Sequence, residues 1–89
     1  MGGGRKTVAI EDFKFMPERI EVKAGTTVTW TNRDSAPHTA TAADDAQREL
    51  LDTKVIKQDK SASVTFKKPG TYSYICDLHP FMKATVTVR

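Results

Sequence analysis

The single cysteine of the chain lies close to a histidine and a methionine. Cys76, His79 and Met82 follow one another in the segment YICDLHPFMK with the spacing C-x2-H-x2-M. A loop of about six residues is long enough to fold back over a point a few ångströms wide. The spacing therefore predicts that a thiol, an imidazole and a thioether converge on one site.

A second imidazole is available from His38, in the segment NRDSAPHTA, where Pro37 stiffens the approach to the histidine. One thiolate, two imidazoles and a weaker thioether suit copper in electron transfer, because sulfur favours Cu(I) and imidazole suits both oxidation states. Zinc accepts cysteine and histidine but makes little use of methionine. The sequence therefore predicts one copper ion bound by His38, Cys76, His79 and Met82.

Two other interpretations of these residues are open. Met16, in FKFMPERI, is an alternative thioether ligand, although its place before Pro17 fits packing better. Cys76 and His79 also resemble a nucleophile and its base. Neither oxyanion-hole glycines nor a third orienting residue accompany that pair, so we expect that the protein is not an enzyme.

The elements that must position these residues are strands. Apolar and polar residues alternate with a period of two along most of the chain, as in strands with one buried face. This pattern predicts an all-β fold, a Greek-key antiparallel β-sandwich. The predicted inward-facing residues are Val8 and Ile10; Ile20 and Val22; Val28 and Trp30; Val64 and Phe66; Tyr72, Tyr74 and Cys76; and Ala84, Val86 and Val88.

The segment TAADDAQRELL interrupts this alternation. Thr41 and Asp44 resemble a capping box, and Ala46, Leu50 and Leu51 would form one face of a short helix. We therefore expect at most one short helix, near residues 43–51.

The length and composition are those of one folded domain. The chain has 89 residues, of which 38% are hydrophobic and 28% are charged, as in ordinary globular proteins. We expect residues 1–5 to be a flexible leader or a cloning remnant and residues 6–89 to form a single domain. No apolar run approaches the ~18 residues of a membrane helix, and the start MGGGRK lacks the apolar stretch of a signal peptide.

Three segments carry a resemblance to a known family. WTNRDSAPHT, KKPGTYSYIC and CDLHPFMKATVTV resemble the cupredoxins, which are small type 1 blue-copper proteins, and within them the amicyanin and plastocyanin group. The short C-x2-H-x2-M loop and the HPFM run are most similar to those of amicyanins. The resemblance implies that His38, Cys76 and His79 are equatorial ligands of one type 1 copper ion and that Met82 is its axial ligand.

The function implied by this resemblance is the shuttling of single electrons between redox partner proteins by Cu(II)/Cu(I) cycling. It also implies a periplasmic or otherwise extracytoplasmic location. A copper carrier or chaperone with the same ligand set is the alternative.

The chain departs from the family at two positions beside the ligands. The first histidine is usually followed by asparagine and the cysteine by serine or threonine, whereas this chain has Thr39 and Asp77. We expect the Thr39 hydroxyl to donate to the Asp77 carboxylate, and the Thr39 N–H to point at the Cys76 sulfur, where it would tune the metal.

The partner surface is expected around His79, which Leu78, Pro80 and Phe81 would surround with an apolar collar. The net charge of +3 and the pI near 9.2 favour partners with acidic docking surfaces. The lysines are spread along the chain, so nucleic acid is not an expected partner, and we expect a monomer. The lysines expected to steer the partner are Lys54, Lys57, Lys67, Lys68 and Lys83.

Overall fold

The computed structural model describes residues 4–89, in which eight strands form two four-stranded sheets. The first sheet has the order β2-β1-β4-β6 and the second β3-β8-β7-β5. The strands are β1 (Arg5–Glu11), β2 (Lys14–Met16), β3 (Arg19–Val22), β4 (Thr26–Asn32), β5 (Thr41–Ala42), β6 (Ser61–Phe66), β7 (Gly70–Cys76) and β8 (His79–Val88).

The two sheets pack face to face, and the predicted all-β sandwich is confirmed. Successive side chains of a strand point to opposite faces of its sheet. In β4, for example, Val28 and Trp30 are fully buried while Thr27 and Thr29 are half-buried. Every predicted inward-facing residue is buried except Val64, which is half-buried against the core.

Two strand pairings differ from the antiparallel prediction. β1 pairs with β4 in parallel, and β3 pairs with β8 in parallel. The chain passes from the first sheet to the second between β2 and β3, and returns before β4. The alternation of residues shows which face of a strand is buried but not the direction of its neighbour, so the sequence pattern did not reveal these pairs.

The predicted short helix is a single 3₁₀ turn at Asp45–Gln47. Asp44 caps it by accepting a hydrogen bond from the Ala46 N–H at 2.9 Å. The predicted capping box is wrong, because Thr41 lies in β5 and is fully buried. Leu51 is also buried, but Leu50 is exposed and the expected apolar helix face is not formed.

The N-terminal strand begins one residue before the predicted domain boundary. Arg5, assigned above to the leader, lies in β1 and pairs with Thr27, whose N–H bonds the Gly4 carbonyl at 3.0 Å. The prediction for residues 1–3 lies outside the described residues. No helix within residues 4–89 has the length and apolar character needed to cross a membrane.

Two tyrosines of β7 make different hydrogen bonds. The Tyr72 hydroxyl donates to the backbone carbonyl of Lys68 at 2.5 Å, as in the tyrosine corner of β-sandwiches. The Tyr74 hydroxyl accepts from Trp30 Nε1 at 3.2 Å inside the core. Burial raises the pKa of Tyr74 far above its ordinary value, so this hydroxyl stays neutral.

Replacement of each tyrosine by phenylalanine is expected to have unequal effects on stability. Tyr74→Phe leaves the buried Trp30 N–H without its acceptor, which costs about 1–3 kcal/mol. Tyr72→Phe frees a carbonyl at a partly buried position that water reaches, so its cost is at most about 1 kcal/mol. Urea unfolding of the two variants measures both; a larger loss for Tyr72→Phe would contradict this assignment.

Candidate metal centre

Cys76 and His79 meet where β7 and β8 join. A β-bulge between Ile75 and Cys76 shifts the register, so that Cys76 pairs with His79, the first residue of β8. Only Asp77 and Leu78 separate the two strands. Cys76 is fully buried and His79 is half-buried. The thiol therefore faces the interior and the imidazole lies at its rim.

His38 is brought to the same pole by an isolated bridge with Ile56. The N–H of each residue bonds the carbonyl of the other, at 3.1 and 2.7 Å. The buried Asn32 side chain organises the loop before it, since Nδ2 donates to the carbonyls of Ala36 and Ile56. Hydrogen bonds from Asn32 and Ile56 therefore fix both the loop and the histidine, and the His38 side chain is fully buried.

The three side chains converge. Nδ1 of His38 and Nδ1 of His79 each lie 3.6 Å from the Cys76 sulfur, and the three atoms lie within 4.8 Å of one another. Met82 is buried in β8, three residues after His79. Met16 lies in β2 with 46% of its surface exposed. The structure thus brings together three of the four predicted site residues. The fourth, Met82, is buried three residues further along the chain than His79.

Thr39 connects the two segments that carry the site. Its N–H donates to the Cys76 sulfur at 3.3 Å, as predicted. Its hydroxyl accepts from the Asp77 N–H at 2.8 Å, so the predicted bond to the Asp77 carboxylate is wrong. That carboxylate instead lies 3.6 Å from the Arg48 guanidinium and is substantially exposed. The backbone N–H of Asp77, rather than its charge, faces the centre.

The Asp34 carboxylate determines the orientation of the His38 ring. One of its oxygens lies 2.8 Å from His38 Nε2, so this nitrogen carries the proton and Nδ1 directs its lone pair towards the sulfur. Partial burial acts to raise the pKa of Asp34, but hydrogen bonds from the Phe13 N–H, the His38 ring and the Asp12 N–H hold that pKa below its ordinary value. An ionised carboxylate therefore holds the ring.

The same carboxylate holds the turn between β1 and β2. It accepts the N–H groups of Asp12 and Phe13 at 2.8 and 2.9 Å, and both of these residues have positive φ, 54° and 58°. A two-residue hairpin turn with this geometry usually contains Asn-Gly or Asp-Gly. Phe13 occupies the position that normally favours glycine, and Asp34 stabilises it there.

The Phe13 ring covers the site. It meets the imidazole rings of His38 and His79 edge-on, at centroid separations of 5.0 and 4.9 Å, and lies nearly parallel to Phe81 at 6.4 Å. The sequence prediction missed this residue. A phenylalanine in a turn gives no sign in the sequence that its ring will contact histidines 25 and more positions away.

The chemistry of these donors fits copper. The centre offers one buried sulfur and two imidazole nitrogens, and a buried methionine lies three residues after His79 in the same strand. Soft sulfur with imidazole is the donor combination of copper electron-transfer sites. Hydrogen bonds orient two of the donors, because the Asp34 carboxylate accepts from the His38 ring and the Thr39 N–H donates to the Cys76 sulfur, as partners behind metal ligands usually do.

Comparison with known proteins identifies the family. Residues 4–89 match the family of copper binding proteins described as plastocyanin/azurin. The chain belongs to this family, which is the cupredoxin family predicted above, and it is a copper-binding protein of the blue-copper type.

The relatives include several amicyanins. The chain is 38% identical over 87 residues to amicyanin-alpha of Methylorubrum extorquens, covering 97% of this chain and 73% of the relative. It is 37% identical to amicyanin of Paracoccus denitrificans, covering 97% and 66%. A solved structure of the Cu(I) form of an amicyanin variant superimposes with a TM-score of 0.87 at 38% identity, over 97% of this chain and 83% of that one.

Asp34→Asn is expected to weaken metal binding. The amide cannot offer two charged oxygens to the His38 ring and to both turn N–H groups, and loss of such a partner typically costs 10–100-fold in metal affinity. Copper affinity measured by competition with a chelator tests this. Asp12→Asn is the matched control, because Asp12 contributes its backbone to the turn, and it should change affinity less than threefold. Equal affinities for the two variants would contradict the role given to Asp34.

Proposed function

We propose that this chain binds one copper ion through His38, Cys76, His79 and Met82 and carries single electrons between redox partner proteins. The observation that supports this most directly is the approach of two imidazole nitrogens to one buried sulfur, each at 3.6 Å. Solved structures of amicyanin variants in the oxidised state and in the reduced Cu(I) form support the redox role. Membership of the family favours an extracytoplasmic location.

When bound, copper would supply a one-electron couple, and the chain supplies the frame that keeps the donors in place. Cys76 and His79 are backbone-paired, and His38 is paired with Ile56. Asp34 restrains the His38 ring from the side away from the sulfur. A frame fixed by hydrogen bonds resists movement of the ligands, which keeps the rearrangement that accompanies electron transfer small.

His79 is the proposed exit for the electron. It is the partly exposed member of the three, whereas Cys76 and His38 are fully buried. Around it lie exposed apolar side chains, with Leu78 47%, Phe81 69% and Phe13 39% accessible. We call Phe13, Leu78, Pro80 and Phe81 the apolar patch. Such a patch excludes water from a contact yet is small enough for rapid release of a partner.

The lysines expected to steer an acidic partner lie at different ends of the molecule. Lys83 is in β8, four residues after His79, and Lys57 follows Ile56, the bridge partner of His38. Lys67 and Lys68 precede β7, whose seven residues place them about 20 Å from the Cys76 end. That distance exceeds the Debye length of about 8 Å at physiological salt. Lys54 is paired with Asp52 at 3.1 Å.

Lysines at the site pole are therefore expected to accelerate reaction with anions, and the distant ones are not. Lys57→Gln and Lys83→Gln should each slow reduction of the copper protein by hexacyanoferrate(II), a small anionic reductant, by about twofold at physiological ionic strength, where screening confines steering to nearby charges. Stopped-flow rates at several salt concentrations measure this. Lys68→Gln is the matched control at the opposite pole; a similar slowing in that variant would contradict local steering.

The ligand set is tested by adding Cu(II) to the metal-free protein. We expect an intense visible thiolate-to-copper absorption band that Cys76→Ser abolishes, because the sulfur is the donor of that transition. Met82→Leu should shift the band and the reduction potential, whereas Met16→Leu should leave both unchanged.

The same preparation distinguishes a shuttle from a carrier. Reversible one-electron cycling without loss of copper supports electron transport. Rapid transfer of the copper ion to a competing acceptor would contradict it, and absence of the band in the unaltered protein would contradict the site itself.

A further inference from the structure

A chain of hydroxyl groups runs from the metal centre to a carboxylate in the loop between β5 and β6. The Asp77 N–H donates to the Thr39 hydroxyl at 2.8 Å. Oγ1 of Thr39 lies 3.0 Å from Oγ1 of Thr41, and the Thr41 hydroxyl donates to Asp52 Oδ1 at 3.2 Å. Thr39 and Thr41 are buried, so water does not replace these partners.

The two ends of the chain determine the direction of each hydroxyl proton. A backbone N–H can only donate, and an ionised carboxylate can only accept. The Thr41 hydroxyl donates a hydrogen bond to Asp52, so its oxygen is free to accept one from the Thr39 hydroxyl. The Thr39 hydroxyl in turn donates a hydrogen bond to Thr41, so the lone pairs of its oxygen face the Asp77 N–H. Without the carboxylate, both threonine hydroxyls would be free to reverse.

Asp52 is itself held in place from the other side. The Lys54 N–H donates to Oδ1 at 3.0 Å, and the Lys54 ammonium lies 3.1 Å from Oδ2. Partial burial acts to raise the pKa of Asp52, but the hydrogen bonds from Lys54 and Thr41 keep that pKa below its ordinary value. The backbone of Asp52 also forms a bridge with Thr41.

We propose that Asp52 is a positioning residue for the metal centre: through Thr41 and Thr39, it holds the segment of Cys76 and Asp77 against the segment of His38 and Thr39 before any metal binds. Its carboxylate touches neither the donors nor the metal. Its effect is to keep the Thr39 oxygen available to Asp77, while the Thr39 N–H stays on the sulfur. The benefit to copper rests on the proposed function, but the hydrogen bonds from Asp52 through Thr41 and Thr39 to Asp77, which we call the clasp, join protein atoms alone.

Amide hydrogen exchange of the copper-free protein, followed by NMR, tests this assignment. Thr41→Val keeps the shape of the buried side chain and removes the relay, and Asp52→Ala removes the final acceptor. In both variants, exchange of the Asp77 N–H should accelerate about tenfold relative to the N–H of Val86, which is buried in β8 and reports general loss of stability. Tenfold corresponds to about 1.4 kcal/mol.

Two control variants separate the clasp from the general effect of losing a hydroxyl. Thr41→Ser retains the relay and should keep slow exchange at Asp77. Thr29→Val removes a hydroxyl that bonds Ser63 at 2.7 Å on the exposed face of the first sheet. It should leave the ratio of the Asp77 and Val86 exchange rates unchanged. If exchange of the Asp77 N–H accelerates only as much as exchange of the Val86 N–H, the proposal is overturned. Acceleration in Thr41→Val but not in Asp52→Ala would also overturn it, because Asp52 would then be dispensable.

These outcomes are independent of the copper experiments, because exchange is measured without metal. Failure to form the visible band would overturn the copper function and leave the clasp standing. Normal exchange ratios in both variants together with a normal band would overturn the clasp alone.

Discussion

The metal centre depends on hydrogen bonds that hold two segments together at one pole of the sandwich. His38 and Cys76 are 38 residues apart in the chain, yet their side chains are 3.6 Å apart. Thr39 connects the segments directly, because its N–H donates to the Cys76 sulfur and its hydroxyl accepts from the Asp77 N–H. These bonds join protein atoms, so the fold itself holds the donors together. Donors that are already oriented lower the free-energy cost of binding a metal.

Two carboxylates hold this pole, and each acts through a set of hydrogen bonds. Asp34 binds the His38 ring and the turn that carries Phe13. Asp52 binds Thr41 and, through it, Thr39. Both carboxyls have pKa values below the ordinary one because hydrogen-bond donors outweigh their partial burial. Their charges are thus compensated locally, which allows acidic groups to lie near the Cys76 sulfur without an unpaired buried charge.

The same turn links the interior of the site to its surface. Asp34 stabilises a backbone conformation that phenylalanine rarely adopts, and the ring so placed covers both imidazoles while it extends the apolar patch. One carboxylate therefore orients a proposed ligand and shapes the surface that a partner would contact. Loss of the Asp34 carboxylate would therefore affect both properties together.

The sequence by itself determined the class of fold, the candidate residues of the site and the metal they favour. Period-two alternation gave the buried face of each strand, and the types and spacing of Cys76, His79 and Met82 restricted the chemistry, because both are local properties of the chain. Only the tertiary structure decided the parallel pairings of β1 with β4 and β3 with β8, the place of Phe13 over the imidazoles, and the bonds of Asp34 and Asp52. Those features depend on which distant segments become neighbours, and a local residue pattern carries no information on that.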